Sequence, residues 1–242
     1  MKQERKTHKS FGRQGFTLLD ILVAISVISL LIAILAPTLS RVQETSRRVI
    51  CASNLRQHGL AIQLYTDNHN GILPPSAFIA FNDQDTSRMM TLRLPTTERR
   101  RLGRDGWDGL GVLFRADYVN TPGLFYCPSH KGNHPFSLYE SRWAGKGGEI
   151  VGNYHYRGQD GNGIRNIFQI SGSIALVSDG MRTQDDFNHE QGLNVLRAGL
   201  HVGWVDDSQS RLLMMRPDSE TQAGGTDDSI ADAWRWLDNR LP

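Results

Sequence analysis

The feature that most constrains this chain is an apolar run near its N-terminus, residues 16–36. Asp20 is its only ionisable residue, and the other positions carry apolar or hydroxyl side chains. As a helix rising about 1.5 Å per residue, the run reaches roughly 30 Å, the thickness of a bilayer's hydrocarbon core. Helices buried in soluble proteins seldom stay apolar on every side for this length. We therefore predict a membrane-spanning helix over residues 16–36.

A basic leader, residues 1–15, precedes the run and contains five Lys or Arg residues and one Glu. Ordinary secretory signals are cut at small residues after the apolar core, but here Pro37 directly follows the candidate position. Lipoprotein signals place a Cys at the end of the core, and the first Cys is Cys51. No paired arginine marks a twin-arginine signal. The remaining option is a cut before the core, which leaves the apolar helix on the mature chain.

Residues 15–20 at this junction read Gly-Phe-Thr-Leu-Leu-Asp. This resembles the type III signal of type IV prepilins and type II secretion pseudopilins, in which a Gly precedes Phe or Met and a Glu occupies the fifth mature position. Asp20 replaces that Glu here. The resemblance implies cleavage between Gly15 and Phe16 by a prepilin peptidase and methylation of the new amine of Phe16. Asp20 and Pro37 are the predicted assembly residues. Many members of the family carry a Pro at this distance from the cleavage site.

The resemblance also implies a location and partners. The chain is expected to cross the bacterial inner membrane once, with its C-terminal domain extracytoplasmic. Four arginines follow the apolar run closely, so the positive-inside rule favours a cytoplasmic leader only slightly, and the family decides the orientation. The expected partners are the prepilin peptidase, other pilin or pseudopilin subunits, and a secretion or pilus assembly machinery.

An amphipathic stalk, residues 37–70, is predicted to continue the helix beyond a kink near Pro37. Turn-forming residues at 67–71 indicate its end. One apolar stripe is expected to pack against a sheet, and its members are Leu39, Val42, Val49, Ser53, Leu60 and Leu64.

The remainder, residues 71–242, is predicted to be an extracytoplasmic, pilin-like, β-rich domain. Long crossover helices are not apparent, which favours an antiparallel sheet and an α+β fold class, with the N-terminal helix packed on the sheet. The last two strand candidates form a hairpin. Strands are predicted at residues 124–127, 153–157, 174–177, 193–196 and 201–205.

Three other segments of this domain have distinct compositions. Residues 82–108 are polar and are predicted to form a surface insertion. Residues 217–228 are rich in Gly, Asp and Ser and are predicted to be a linker. Residues 230–241 are predicted to form a terminal helix with Trp234 and Leu237 on one face.

The chain also resembles a subgroup of pseudopilin-like proteins that have large C-terminal domains. That subgroup tends to end with a His, about nine residues, and then Asp-Gly-His-Val. Here His189 begins the signature, but Gly199 and Leu200 replace the Asp-Gly pair. The other segments that carry the resemblance are residues 51–68, 71–75, 110–119 and 125–129.

Two cysteines, Cys51 and Cys127, leave two options open. An extracytoplasmic location favours one disulfide, whereas two separate buried thiols are the alternative. No paired ligand spacing supports a metal site built from these cysteines and His130, so none is predicted.

Candidate sites of other kinds are weaker. Calcium remains open as a cofactor at residues 160–163, where Asp-Gly-Asn-Gly is similar to the start of a calcium loop, and at the acid pairs 206–207 and 227–228. An arginine-rich run, residues 98–104, could contact phosphates. However, the net charge of +2 and the lack of interleaved aromatics in this run disfavour nucleic acid as a partner.

The histidines at positions 155, 189 and 201 lack any recognisable nucleophile motif, so structural hydrogen bonding is predicted for them and no enzyme is expected. The leading hypothesis is a structural subunit of a pseudopilus or type IV-like pilus. One alternative is a minor pilin whose outer domain binds polysaccharide, a secreted substrate or DNA. Another is a membrane-anchored protein that does not polymerise.

Overall fold

The computed structural model describes residues 15, 17–80, 86–99, 105–145, 147–189, 191–216 and 229–240. Its α-helices are α1 (Leu18–Asp67), α2 (Ala77–Ala80), α3 (Gly111–Arg115), α4 (Phe136–Trp143), α5 (Arg211–Met214) and α6 (Ser229–Asp238). Its strands are β1 (Thr91–Arg93), β2 (Ile150–Val151), β3 (Tyr154–Tyr156), β4 (Ala175–Asp179), β5 (Gly192–Arg197) and β6 (Val202–Asp206). Short 3-10 turns occur at Thr86–Met90, Pro122–Phe125, Ile167–Gln169 and Gln184–Asp186.

Strands β3 to β6 form an antiparallel sheet in which each strand pairs with the next along the chain. This confirms the α+β class, the antiparallel sheet, the hairpin and four of the predicted strands. The predicted strand at residues 124–127 is wrong. Pro122 begins a 3-10 turn there, and Leu124 N–H donates to the carbonyl of Thr121 at 3.1 Å, which closes the backbone on itself.

Helix α1 is one continuous helix that contains Pro37, in agreement with the predicted long N-terminal helix. It ends where Asn70 and Gly71 adopt positive φ angles of 53° and 80°. Gly71 N–H donates back to the carbonyl of Thr66 at 2.8 Å. Glycine past a helix end takes this left-handed conformation without the steric cost of a side chain.

The chain divides into two compact units, Met1–Gln43 and Glu44–Pro242. In the first, α1 supplies a stretch that is long and apolar enough to cross a membrane, and none of it is buried. The second includes the rest of α1 together with the sheet. Residues 44–67 belong to this second unit, and one of their faces lies in its core.

That buried face of α1 is not the predicted one. Leu60 and Leu64 from the predicted stripe are 65% and 53% exposed. The core side instead carries Leu55 and Ile62 together with polar residues that find partners within the domain. The full buried set is Cys51, Asn54, Leu55, His58, Gly59, Ala61, Ile62, Tyr65 and Thr66.

Each face of the sheet has its own helix. Asn194 and Leu196 of β5 approach α1, where the Asn194 amide donates to the carbonyl of Arg48 at 3.3 Å and Leu196 joins the same core cluster as α1. Leu193 and Val195 alternate with them and pack in a second cluster with α6. In α6, Trp234 and Leu237 are buried together, as predicted for the terminal helix. The predicted linker at residues 217–228 lies outside the described residues.

The segment predicted as a surface insertion, residues 82–108, contributes to the core. Met90, Leu92 and Leu94 are buried, and β1 pairs antiparallel with β2. Polar residues surround Met90, Leu92 and Leu94 in the sequence, and these neighbours suggested a surface loop.

Candidate functional site

The residues predicted for processing and assembly lie at the start of α1. Gly15 is exposed, and a Cβ placed on it would meet no atom of the described residues within 4 Å. Phe16 lies outside the described residues. Thr17 N–H donates to Asp20 Oδ2 at 2.9 Å, and Asp20 N–H donates to Thr17 Oγ1 at 3.2 Å. This reciprocal pair is a capping box, which satisfies two helix-terminal donors. Asp20 therefore has a partner within its own helix.

Beyond this cap, α1 displays a long apolar surface. Its large apolar residues between positions 18 and 35 range from 50% exposed at Val27 to 91% at Leu18. Pro37 is exposed within the same helix. Within the second unit, the unburied side of α1 also exposes apolar residues, at Val49, Ile50, Leu60 and Leu64.

A disulfide joins Cys51 of α1 to Cys127, with Cα atoms 5.5 Å apart and a sequence separation of 76 residues. Of the two options that the sequence left open, the structure has the bonded one. Cys127 follows the 3-10 turn at Pro122–Phe125, and its N–H donates to Asn153 Oδ1 at 3.2 Å. The bond therefore ties α1 directly to the segment that leads into β3.

His189 lies beside this disulfide and is almost completely buried. Its Nε2 is 3.7 Å from Cys127 Sγ and 3.5 Å from Asp179 Oδ2. Its Nδ1 is 2.5 Å from Glu44 Oε1. Because an ionised carboxylate can only accept, the hydrogen on Nδ1 points to Glu44. In the neutral ring, the lone pair of Nε2 then faces the sulfur and Asp179.

Asp179 ends β4 and is 1% exposed. Its Oδ2 accepts from the backbone N–H of Asn194 at 2.6 Å and from the Asn194 side-chain amide at 3.0 Å. Its Oδ1 is buried without a hydrogen-bond partner. Burial raises the pKa of Asp179 to about 6, although the charge of His189 and the bonds from Asn194 act in the opposite direction.

The outer side of this cluster is formed by Glu44 and Trp204. Glu44 Oε2 accepts from Ser129 Oγ at 2.9 Å, so this carboxylate bridges Ser129 and His189. The Trp204 ring lies 5.8 Å from the His189 ring, and the guanidinium of Arg48 stacks 3.3 Å above Trp204. The cluster is thus enclosed by α1, β4, β6 and the loop that carries His189.

The sequence did not predict this grouping. His130, the histidine weighed as a partner for the cysteines, instead faces Asn188, with 2.9 Å between His130 Nδ1 and Asn188 Oδ1. His155 is fully buried, and its Nδ1 accepts from Met181 N–H at 3.0 Å, in agreement with a structural role. His201 is exposed beside the β5–β6 turn. The available signal was Asp179, an acidic residue that ends a strand whose first three residues are apolar.

The residues considered for calcium are engaged in local turns. Asp160 Oδ1 accepts from the backbone N–H groups of Asn162 and Ile164, both at 2.8 Å. Asp207 accepts from the N–H groups at the start of α5, and Asp206 accepts from Ser208. The acid pair at residues 227–228 lies outside the described residues. The carboxylates that the structure describes therefore stabilise turns and a helix end.

Part of the arginine-rich run is also used internally. Arg99 Nη2 donates to the carbonyl of Gly148 at 2.9 Å, and Glu98 pairs with Arg88. Residues 100–104 lie outside the described residues.

A cleft of about 410 Å³ borders α6 and contains the aromatic rings of Phe78 and Trp234. Its charged residues already have partners. Arg157 and Arg235 each pair with an aspartate of α6, and Asp160 accepts the turn bonds described above. The cleft therefore presents apolar surface beside charges that the protein itself compensates.

Comparison with models of known protein families, with curated proteins and with solved structures finds no match for this chain. Its function must therefore be argued from its own residues.

Proposed function

We propose that this chain is a structural subunit of a type II secretion pseudopilus or a type IV-like pilus. In this proposal, prepilin peptidase cuts between Gly15 and Phe16, the chain resides in the inner membrane with its pilin-like outer domain extracytoplasmic, and subunits polymerise through α1. The observation that carries the proposal is the uncovered apolar part of α1, which continues without a break into a helix fixed in the outer domain.

The exposed apolar surface of α1 is compatible with both states of such a subunit, the one in the membrane and the one in the filament. In a bilayer, lipid tails cover it at no cost. In a filament, equivalent helices of neighbouring subunits cover it. Because lipid is as apolar as the helices, the hydrophobic effect does not by itself drive transfer from membrane to bundle. An external energy source is then required, which is the role of the cytoplasmic ATPase that the resemblance implies.

The disulfide supports an extracytoplasmic outer domain. Disulfides persist in oxidising compartments and are rare in the cytosol of most organisms. The bond also suits mechanical work, because a force applied along α1 passes through a covalent link into the segment before β3.

Processing gives the first test. We expect the mature chain to begin at Phe16 with a methylated amine, because the Gly-Phe junction directly precedes the apolar run. Intact-mass measurement of the membrane-extracted protein would establish this. A Gly15→Val variant serves as the control and should retain the leader. A wild-type chain that starts at Met1 or near Pro37 would contradict the proposal.

Assembly depends on Asp20 in this proposal. A carboxylate within the apolar part of a membrane helix is costly, and cleavage creates a new cation at the Phe16 amine. Within one helix the two groups are poorly placed to meet, so the amine of the adjacent subunit is the better partner. Such a pair would set the axial register of the filament. We expect Asp20→Ala to lower incorporation into sheared filaments at least tenfold, while Asp20→Glu retains most of it.

The capping box requires a control that separates capping from charge. Asp20→Asn keeps an oxygen that can accept from Thr17 N–H but removes the charge. We expect Asn to fail in assembly as Ala does, with both variants inserted in the membrane and folded. Normal incorporation of Asp20→Asn would show that capping alone matters. A wild-type chain that never appears in a filament fraction would favour the membrane-anchored alternative.

A further inference from the structure

The buried cluster at the disulfide has a composition that the pilus proposal does not use. Four side chains meet there: Cys51, Cys127, Asp179 and His189. Each is buried, and the atoms they can offer to a metal all lie within 4.8 Å of one another. Two sulfurs, an imidazole nitrogen and a carboxylate oxygen are the ligand types that zinc uses in closed, four-coordinate sites.

The distances already approach those of tetrahedral coordination. Zinc bonds of about 2.0–2.3 Å place neighbouring ligand atoms roughly 3.3–3.8 Å apart. His189 Nε2 lies 3.7 Å from Cys127 Sγ and 3.5 Å from Asp179 Oδ2, within that range. The two sulfurs are the exception, because they are bonded to each other. Breaking that bond and moving them apart is the main change that a metal would require.

Two further features indicate a site prepared for a cation. Glu44 accepts from Nδ1 of His189, and this is the arrangement by which a carboxylate orients a metal-binding histidine so that Nε2 faces the ion. Asp179 Oδ1 is buried and has no hydrogen-bond partner among the residues that the structure describes, although such atoms are normally satisfied. A cation between Asp179 and the sulfurs would compensate that carboxylate.

We propose that Cys51, Cys127, His189 and Asp179 bind one zinc ion when the disulfide is reduced. A dithiol reductant breaks the Sγ–Sγ bond through a mixed disulfide and leaves as its own disulfide. Its two electrons and two protons then reside on the Cys51 and Cys127 thiols. Zinc displaces both thiol protons to solvent and takes the thiolates, the Nε2 lone pair and the Asp179 carboxylate as ligands.

The consequence is a tie between α1 and the outer domain in both redox states. When oxidised, the covalent bond holds Cys51 to Cys127. When reduced, zinc holds the same two residues and adds β4 and the His189 loop to the tie. A chain that has folded before its cysteines are oxidised would then keep its helix attached. Exchange of the two thiolates with a disulfide oxidant would form the Sγ–Sγ bond, reduce that oxidant to its dithiol and release the zinc ion.

The test uses the full chain in detergent, either with its disulfide intact or after reduction and anaerobic removal of the reductant. After incubation with zinc chloride and desalting, zinc is counted by mass spectrometry against protein. We expect one zinc per reduced chain and none above background in the oxidised chain. Cobalt should give the reduced chain a sulfur-to-cobalt charge-transfer band and the strong visible absorption of tetrahedral coordination.

Variants separate this site from accidental thiol binding. We expect His189→Ala to weaken zinc affinity of the reduced chain at least a hundredfold and to change the cobalt spectrum. We expect Glu44→Gln, which touches no metal, to weaken affinity about tenfold. Asp179→Asn should weaken binding with little change of side-chain shape. His201→Ala is the matched control and should bind as wild type does.

Several results would overturn the proposal. Equal zinc in the oxidised chain would place the metal elsewhere, and unchanged affinity in both His189→Ala and Asp179→Asn would leave only nonspecific thiol binding. A reduced wild-type chain that binds no zinc would exclude the site. A reduced chain that loses its native circular dichroism without recovery on zinc addition would do the same.

Discussion

Replacing both Cys51 and Cys127 by alanine is expected to lower the free energy of unfolding by about 4 kcal/mol in the chain-entropy account of disulfides. The bond closes a loop whose ends are 76 residues apart, so the unfolded chain loses much conformational freedom when it is present. Both residues are also buried, and removal of their sulfurs leaves space next to His189. Urea unfolding of the detergent-solubilised chain, with a chelator present, would measure the change.

Reduction provides the internal control for this prediction. The reduced wild-type chain should unfold at a lower urea concentration than the oxidised chain, because it lacks the cross-link. It should unfold slightly above the double alanine variant, which lacks the buried sulfurs as well. Reductant should leave the double variant unchanged. A double variant as stable as the oxidised wild type would mean that the tie between α1 and the outer domain rests on packing alone.

Local patterns in the sequence were sufficient for the elements that depend on local interactions. Side chains of β5 and β6 are divided between the two core clusters, and a short turn joins the two strands. This local pattern was enough to predict their hairpin from the sequence. Reliance on local composition also led to the wrong prediction of a strand at residues 124–127, which are apolar. Their composition suits a strand, but Pro122 begins a 3-10 turn that runs through Phe125.

The cluster beside the disulfide could not be found in this way, because its members are far apart in the chain. Glu44 and His189 are 145 positions apart and meet only through the packing of α1 on the sheet. The cysteines alone supported an even choice between a disulfide and free thiols. The sequence alone does not indicate that Asp179, which ends β4, lies beside the two cysteines.

The misassigned face of α1 has a related cause. Leu60 and Leu64 are apolar but exposed, whereas Asn54 and His58 are polar but buried. The Asn54 amide donates to the carbonyl of Tyr126 and to the hydroxyl of Tyr154, and His58 Nε2 lies 3.0 Å from the carbonyl of Leu124. Burial lowers the pKa of His58 to about 4, so the ring stays neutral there. Hydropathy alone cannot foresee partners of this kind.

Two leucines on opposite faces of α1 give a matched test of this assignment. We expect Leu55→Ala to lower the free energy of unfolding by about 3 kcal/mol, because Leu55 is completely buried and its loss leaves a cavity. We expect Leu60→Ala to change it by less than about 0.5 kcal/mol, because Leu60 is 65% exposed. Urea unfolding of the two variants side by side would measure both. Equal losses would mean that the predicted stripe also packs in the core.

The same pair distinguishes stability from assembly, provided that the proposed function holds. An exposed leucine that adds nothing to the folded monomer has its surface available for a neighbouring subunit. Leu60→Ala should therefore lower incorporation into sheared filaments although the monomer is as stable as wild type. Leu55→Ala should lower incorporation only in proportion to the chain that fails to fold. Normal incorporation of Leu60→Ala would confine the subunit contact to the part of α1 before the outer domain, where Leu18 and its neighbours are exposed.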